Sequence, residues 1–151
     1  MNETQRAATP VLHWVIAIAA TLWNLIGPVD YFMSKTRNDA YMQAMMPGVD
    51  PQAVYAYTDS FPLLIQVGWA IGVWFALVGS LLLLARHRWA VPAFALSLVG
   101  AVVSLGYQRM NPIPIPSLQE GAAGVMPYVI IAIAVALLLY ARSASARGVL
   151  R

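Results

Sequence analysis

Cysteine is missing from this 151-residue chain. Its absence excludes disulfides, thiolate nucleophiles, thiolate metal ligands and the thiol–disulfide exchange performed by some small four-helix membrane enzymes. Charge is scarce too: Asp, Glu, Lys and Arg make up 10% of the residues, against about 25% in a soluble domain. With 60% hydrophobic residues and a mean hydropathy of +0.68, the composition is that of an integral membrane protein in contact with the lipid bilayer. The nine basic residues are scattered between apolar segments and form no patch, which argues against nucleic acid as a partner. No polar linker is long enough to separate two folding units, so residues 1–151 are expected to form one domain. No Ser/His/Asp set, glycine-rich phosphate loop or pair of intramembrane carboxylates can be assembled, so a non-enzymatic protein without a cofactor is expected.

What the chain does have is four apolar runs, at 11–32, 62–85, 89–107 and 125–141. Each reaches the roughly 17–25 residues needed to cross a ~30 Å hydrocarbon core. The runs are too long, and apolar on too many sides, for transmembrane strands. The expected fold is an all-α four-helix transmembrane bundle with an interfacial helical cap between the first and second spans. Arg6 before an apolar run containing Ala17-Ile18-Ala19 has the form of a signal peptide, but the run continues long enough to remain as a span. Arg6, Arg86, Arg88, Arg142, Arg147 and Arg151 fall on one side, and Lys35, Arg37 and Arg109 on the other. The excess of positive charge places both termini in the cytoplasm, in a bacterial inner membrane. The tight "RHR" connection at 86–88 makes the second and third spans antiparallel neighbours.

The outer connections are longer. In 35–60, "TRNDAYMQAMM" and "DPQAVYAYTDSF" read as two short helices broken at Pro47-Gly48, with Asp50 as N-cap and Pro51 in the first helical position. Tyr41, Tyr55, Tyr57 and Phe61 supply rings suited to the headgroup level. In 108–124, the prolines of "NPIPIPS" forbid helix and favour an extended strap. Residues 142–151 read as a cytoplasmic tail.

Polar residues inside the spans carry the functional question. The first span ends in "WNLIGPVDY", where Pro28 leaves the carbonyl of Asn24 without its helical donor. A helical wheel aligns Trp23, Gly27 and Asp30, with Tyr31 beside them. One reading is a broken helix lining an outward-facing solute site formed by Trp23, Asn24, Asp30, Tyr31, Gln66 and Trp69. The other is a kinked helix end, with Asp30 in water and Asn24 bonded to a neighbouring helix. Gln66 and Gln108 are the expected candidates for that bond. A buried amide without a partner costs several kcal/mol in hydrocarbon, so Asn24 needs one.

Gly68, Gly72, Ala76 and Ser80, with Gly79 beside them, form a small-residue ribbon, echoed by Ala93, Ser97 and Ala101. Both are helix-packing candidates, expected within the chain, although spacing alone does not separate that from a contact between chains. Met33, Met42, Met45, Met46, Met110 and Met126 map to the outer side. Thioethers suit Cu(I), but methionine also fills irregular gaps. No His or Cys accompanies the group, so no metal site is expected. His13 and His87 both fall at the cytoplasmic edge, and His87 reads as a solvated loop residue.

The stretches "WNLIGPVDYFMSKTRNDAYM" and "SFPLLIQVGWAIGVWFALVGSLLLLARHRWAVPAFALSL" resemble a group of small uncharacterised bacterial four-helix inner-membrane proteins, some of which carry the label "sugar transporter". The resemblance covers residues 11–107 and implies carriage of a sugar-like solute, without implying particular site residues. One four-helix chain is too narrow to enclose a sugar and alternate its access, so a carrier would have to be a homo-oligomer. Three functions follow in order of expectation. The first is an accessory or interaction subunit of a larger membrane assembly, the second a homo-oligomeric small-solute transporter, and the third, remotely, Cu(I) handling through methionines. The partner is accordingly a larger membrane protein or a second copy.

Overall fold

The computed structural model describes residues 10–151, so Arg6 lies outside the described residues. They form six α-helices and no strand: α1 (Val11–Lys35), α2 (Asp39–Met45), α3 (Pro51–Asp59), α4 (Leu63–Leu84), α5 (Ala90–Met110) and α6 (Gly121–Ala146). Of these, α1, α4, α5 and α6 are long and apolar enough to cross a membrane. The last helix is longer at both ends than the apolar run 125–141 suggests. Pro127 lies inside it, in its second turn, and leaves the Ala123 carbonyl without its helical donor.

The helices pack in the order α1, α4, α5, α6, and the α4–α5 contact is the most extensive. Glycine makes it close. A Cβ on Gly100 would stand 2.5 Å from the Gly68 carbonyl oxygen and 2.6 Å from the Gly72 amide nitrogen, so the two backbones touch where no side chain intervenes. Ser97 donates to the Gly72 carbonyl at 2.7 Å across the same seam. Such close packing holds helices together where apolar lipid removes the hydrophobic drive.

One end of the molecule is closed by a cap. Asn38 and Asp50 N-cap α2 and α3 by accepting from the Tyr41 and Gln52 amides, and Pro51 takes the first helical position of α3. Met42, Val54 and Tyr55 form a small core beneath, against which Ile113, Ile115 and Leu118 pack. The strap "PIPIP" explains the fit. Extended chain alternates sides, and the exposed prolines 112, 114 and 116 alternate with the half-buried isoleucines. A single 3-10 turn, Pro116–Leu118, follows, so the proline-rich loop is a strap with one turn in it. Tyr57 pins it by donating to the Asn111 carbonyl at 2.7 Å.

The opposite, arginine-rich end is where all four long helices meet, around Ala17, Ala20, Leu83, Ala90, Phe94, Leu137, Ala141 and Ala144. Residues 142–151 are no free tail. Helix α6 continues to Ala146 and ends in a Schellman turn at Gly148 (φ 69°), with Val149 donating to the Ala144 carbonyl and Gly148 to that of Ser145. Leu150 is then buried, and the strand-like end pairs with the α4–α5 connection. Arg151 donates to the Arg86 carbonyl at 2.7 Å, and Arg88 to that of Arg151 at 2.8 Å.

Candidate functional site

The antiparallel register of α1 and α4 decides where the polar residues go. Asn24 meets Ser80, Gly27 approaches Val73, Tyr31 meets Trp69 and Lys35 meets Gln66. Asn24 Nδ2 donates to Ser80 Oγ at 2.8 Å, and Ser80 donates onward to the Ala76 carbonyl at 3.0 Å. The amide is therefore bonded to a helix neighbour, but to neither expected glutamine. Gln66 lies fourteen residues before Ser80, about 21 Å nearer the cap at 1.5 Å per residue. Its Nε2 donates to the Phe61 carbonyl, while Gln108 bonds to Ser104 on its own helix. Because α1 runs on to Lys35, the level of Asn24 is deeper in α4 than the ends of the apolar runs suggest.

Three of the six expected binding residues do come together. Tyr31 and Trp69 meet edge to face at 4.9 Å, and the Lys35 ammonium lies 5.6 Å from the Trp69 ring and 5.9 Å from Tyr31. Lys35 also donates to Gln66 Oε1 at 3.1 Å. Phe61 continues the cluster, edge-on to Trp69 at 6.4 Å, to Tyr57 at 4.9 Å and to Tyr107 at 5.6 Å. This aromatic group joins α1, α3, α4 and α5 beneath the cap, with the cation already seated on its faces, a contact worth about 0.5–1 kcal/mol when exposed. Trp23 lies about 12 Å deeper along α1 and is half-buried.

Asp30 is also half-buried, and its carboxylate lies against the Tyr41 phenol of α2. Burial first, and then the Asp30 charge, hold the Tyr41 phenol above its ordinary value of 10.0. In Tyr55, which is 2% exposed, burial and then the Asp39 carboxylate raise the phenol, outweighing Arg37, whose guanidinium lies 5.6 Å from the ring. Tyr57 is raised by burial and by Tyr107. Asp30 thus lies at the junction of α1 with the cap. Of the methionines in "MQAMM", Met42 is buried with its sulfur toward Ser34 Oγ, Met46 is half-buried and Met45 is exposed. The three thioethers point to different surroundings.

The ribbon residues divide between two seams. Gly68 and Gly72 face α5, Gly79 packs on the Phe94 ring, and Ser80 faces α1. Ala76 supplies the carbonyl that Ser80 uses. On α5, Ala93 and Ser97 are buried and the Ala101 backbone meets Gly72. Gly100, which the ribbon spacing does not select, is the tightest position of the α4–α5 seam. Strict four-residue spacing selects Ala101, whereas a helix of 3.6 residues per turn drifts the contact back to Gly100 after two turns.

His13, by its place in the sequence an edge residue, is 1% exposed. Its Nε2 lies 3.1 Å from the Leu83 carbonyl, which can only accept, so Nε2 carries the hydrogen. In the neutral ring Nδ1 then accepts from the Tyr140 hydroxyl at 2.9 Å. This side chain joins α1, α4 and α6, and the Leu83 carbonyl that it meets also accepts from the Arg86 amide at 3.0 Å. No family model, curated protein or solved structure matches the chain.

Proposed function

We propose that the protein is a non-enzymatic subunit of a larger membrane assembly, and that α6 is the helix it offers to its partner. The supporting observation is the difference in cover among the four long helices. Within the most apolar stretch of each, 22%, 28% and 33% of residues are buried for α1, α4 and α5, but 6% for the segment containing α6. Its buried residues, Leu137, Ala141 and Ala144, all lie in its second half. Exposed Val125, Ala132 and Ala136 follow one another at helical spacing along the uncovered side, and Ala132 and Ala136 are small residues four apart, the form suited to close approach of another helix. Five arginines at one end against Lys35, Arg37 and Arg109 at the cap end support a cytoplasmic location for the arginine end, with the cap facing outward from a bacterial inner membrane.

Photo-crosslinking residues placed at Ala132 and Ala136, with Leu22 of α1 as control, test this in the native membrane. The expected result is one stoichiometric adduct from α6 alone, matched by a complex in native mass spectrometry after gentle release. Lipid adducts alone, with a monomeric mass, would overturn it.

A homo-oligomeric carrier of a sugar-like solute is the second reading. It is favoured by the meeting of Tyr31, Gln66 and Trp69 under the cap. Solute flux in vesicles distinguishes it: the carrier reading requires flux in the wild type and its loss in Trp69→Ala.

A further inference from the structure

The end opposite the cap carries Arg86, Arg88, Arg142, Arg147 and Arg151, and among the described residues no Asp or Glu. Two of these guanidinium groups are engaged by the protein: Arg86 Nε donates to the Val149 carbonyl at 3.0 Å and Arg147 Nε to that of Ser143 at 3.3 Å. Those of Arg88, Arg142 and Arg151 donate to nothing among the described residues, where the one ion pair, Arg37–Asp59, belongs to the cap end, and of these three Arg88 and Arg142 lie together. Both line a single open groove of about 550 Å³ between the start of α5 and the last turns of α6, together with Ser145, Trp89 and an apolar floor of Val91, Pro92 and Ala146.

An exposed arginine in water needs no partner, but these two stand over apolar surface. Pro92, Leu96 and Val99 share one side of α5, and Arg142, Leu139 and Val135 one side of α6, at intervals of three and four residues. Leu96, Val99, Val135 and Leu139 are all exposed. The groove therefore opens onto surface that acyl chains cover when the long helices cross a membrane. Trp89 at its rim is 59% exposed, an amphipathic ring of the type that settles at headgroup level.

The connection holds its register through the Arg88–Arg151 backbone bond, and Arg142 and Ser145 lie three apart on one helix face. The first amides of α5 are already used, since Ala90 donates to His87, Val91 to Arg88 and Ala93 to Trp89, and Pro92 has none. An anion here would be held by side chains. Guanidinium groups match phosphate oxygens with paired donors.

We propose that this groove binds the phosphodiester of an anionic glycerophospholipid, with Arg88 and Arg142 on the phosphate, Ser145 as a further donor and the acyl chains along α5 and α6. The proposal rests on the membrane placement of the long helices and is independent of the accessory role.

The test uses the full chain, delipidated in mild detergent and incubated with phosphatidylglycerol, phosphatidylcholine or inorganic phosphate, with adducts read by native mass spectrometry. Phosphatidylglycerol is expected to be retained over phosphatidylcholine by about tenfold or more, the scale set by losing a charge-assisted contact. R88Q/R142Q should lose this preference, R147Q should keep it, and inorganic phosphate should not displace the lipid. Equal retention of the two lipids, or an unchanged preference in R88Q/R142Q, would overturn the proposal. An equal loss in R147Q would assign the effect to bulk charge and overturn the groove. Displacement by inorganic phosphate would overturn the lipid as its source. If R88Q/R142Q does not fold, R88K/R142K keeps both charges. Reduced retention is expected of it, and unchanged retention would overturn the guanidinium contact.

Discussion

At the scale of single residues, small differences in depth and contact decide what a polar or small side chain does. Gly100 and Gly106 occupy the same helix, yet a Cβ would meet backbone atoms at 2.5 and 2.6 Å in the first and nothing within 4 Å in the second. Gly100→Ala should therefore force α4 and α5 apart, at a cost of about 1–3 kcal/mol. Gly106→Ala should be neutral or gain up to ~1 kcal/mol from helix propensity. Unfolding in mixed micelles compares the two, and equal effects would contradict the close backbone contact. His13 offers a second comparison. Tyr140→Phe keeps the ring but removes the hydroxyl that meets Nδ1 at 2.9 Å, leaving a buried acceptor unpaired at about 1–3 kcal/mol. The same assay should place Tyr140→Phe well below Tyr128→Phe, since Tyr128 is exposed. Asn24 illustrates the limit of reading depth from sequence. Its need for a partner follows from its chemistry, but Ser80 becomes that partner only through the α1–α4 register.

At the scale of elements, the cap has a small core of its own in Met42, Val54 and Tyr55. Helix α1 ends with Arg37 at φ 53° and α4 with Arg86 at φ 57°, in the left-handed position that most often takes glycine. In each case the side chain has a partner, Asp59 at 2.6 Å for Arg37 and the Val149 carbonyl at 3.0 Å for Arg86. The Arg37–Asp59 pair is solvent-exposed, so its worth is about 0–1 kcal/mol. The strap matters more. Ile113→Ala with Ile115→Ala should loosen α2 and α3 by less than the ~2–5 kcal/mol of a fully buried Ile→Ala, because both side chains are half-buried. Hydrogen exchange should rise in residues 39–59 and stay unchanged at the α4–α5 seam. Alkaline pH should act on the same element. Tyr41, Tyr55 and Tyr57 all have phenols held above 10.0, so the folded cap keeps their protons more tightly than the unfolded chain does. Their contribution is complete below pH 10 and is lost as pH rises through the folded values. Phenolate absorbance should show these tyrosines ionising late and together with loss of cap structure. Early ionisation with the cap intact would contradict their burial.

At the scale of the whole molecule, contact is unevenly distributed. The α4–α5 seam is tight along its length, whereas α6 is held mainly at the arginine end, where Leu137, Ala141, Ala144 and Leu150 join the common core. Leu150→Asp would place a charge in that core and should free the end of the chain, breaking the Arg86–Arg151 backbone pairing. Hydrogen exchange at Arg88 and Arg151 should then rise together, with the cap unaffected. Opposite rises, or a loosened cap, would mean that the two ends are mechanically joined.

The amino-acid order by itself determined that four long apolar helices form, that two short helices lie between the first pair and that the 86–88 connection is tight. Each of these depends on local quantities: the length of an apolar run, a capping Asp50 before Pro51, and three residues that leave room only for a turn. Tertiary structure alone decided that Asn24 meets Ser80, that Gly100 rather than Ala101 is the tightest point, that PIPIP covers the cap core and that 147–151 folds back on the α4–α5 connection. These depend on the rotation and register of one helix against another. Many side chains of similar size and polarity lie along each helix, and only packing in three dimensions selects among them.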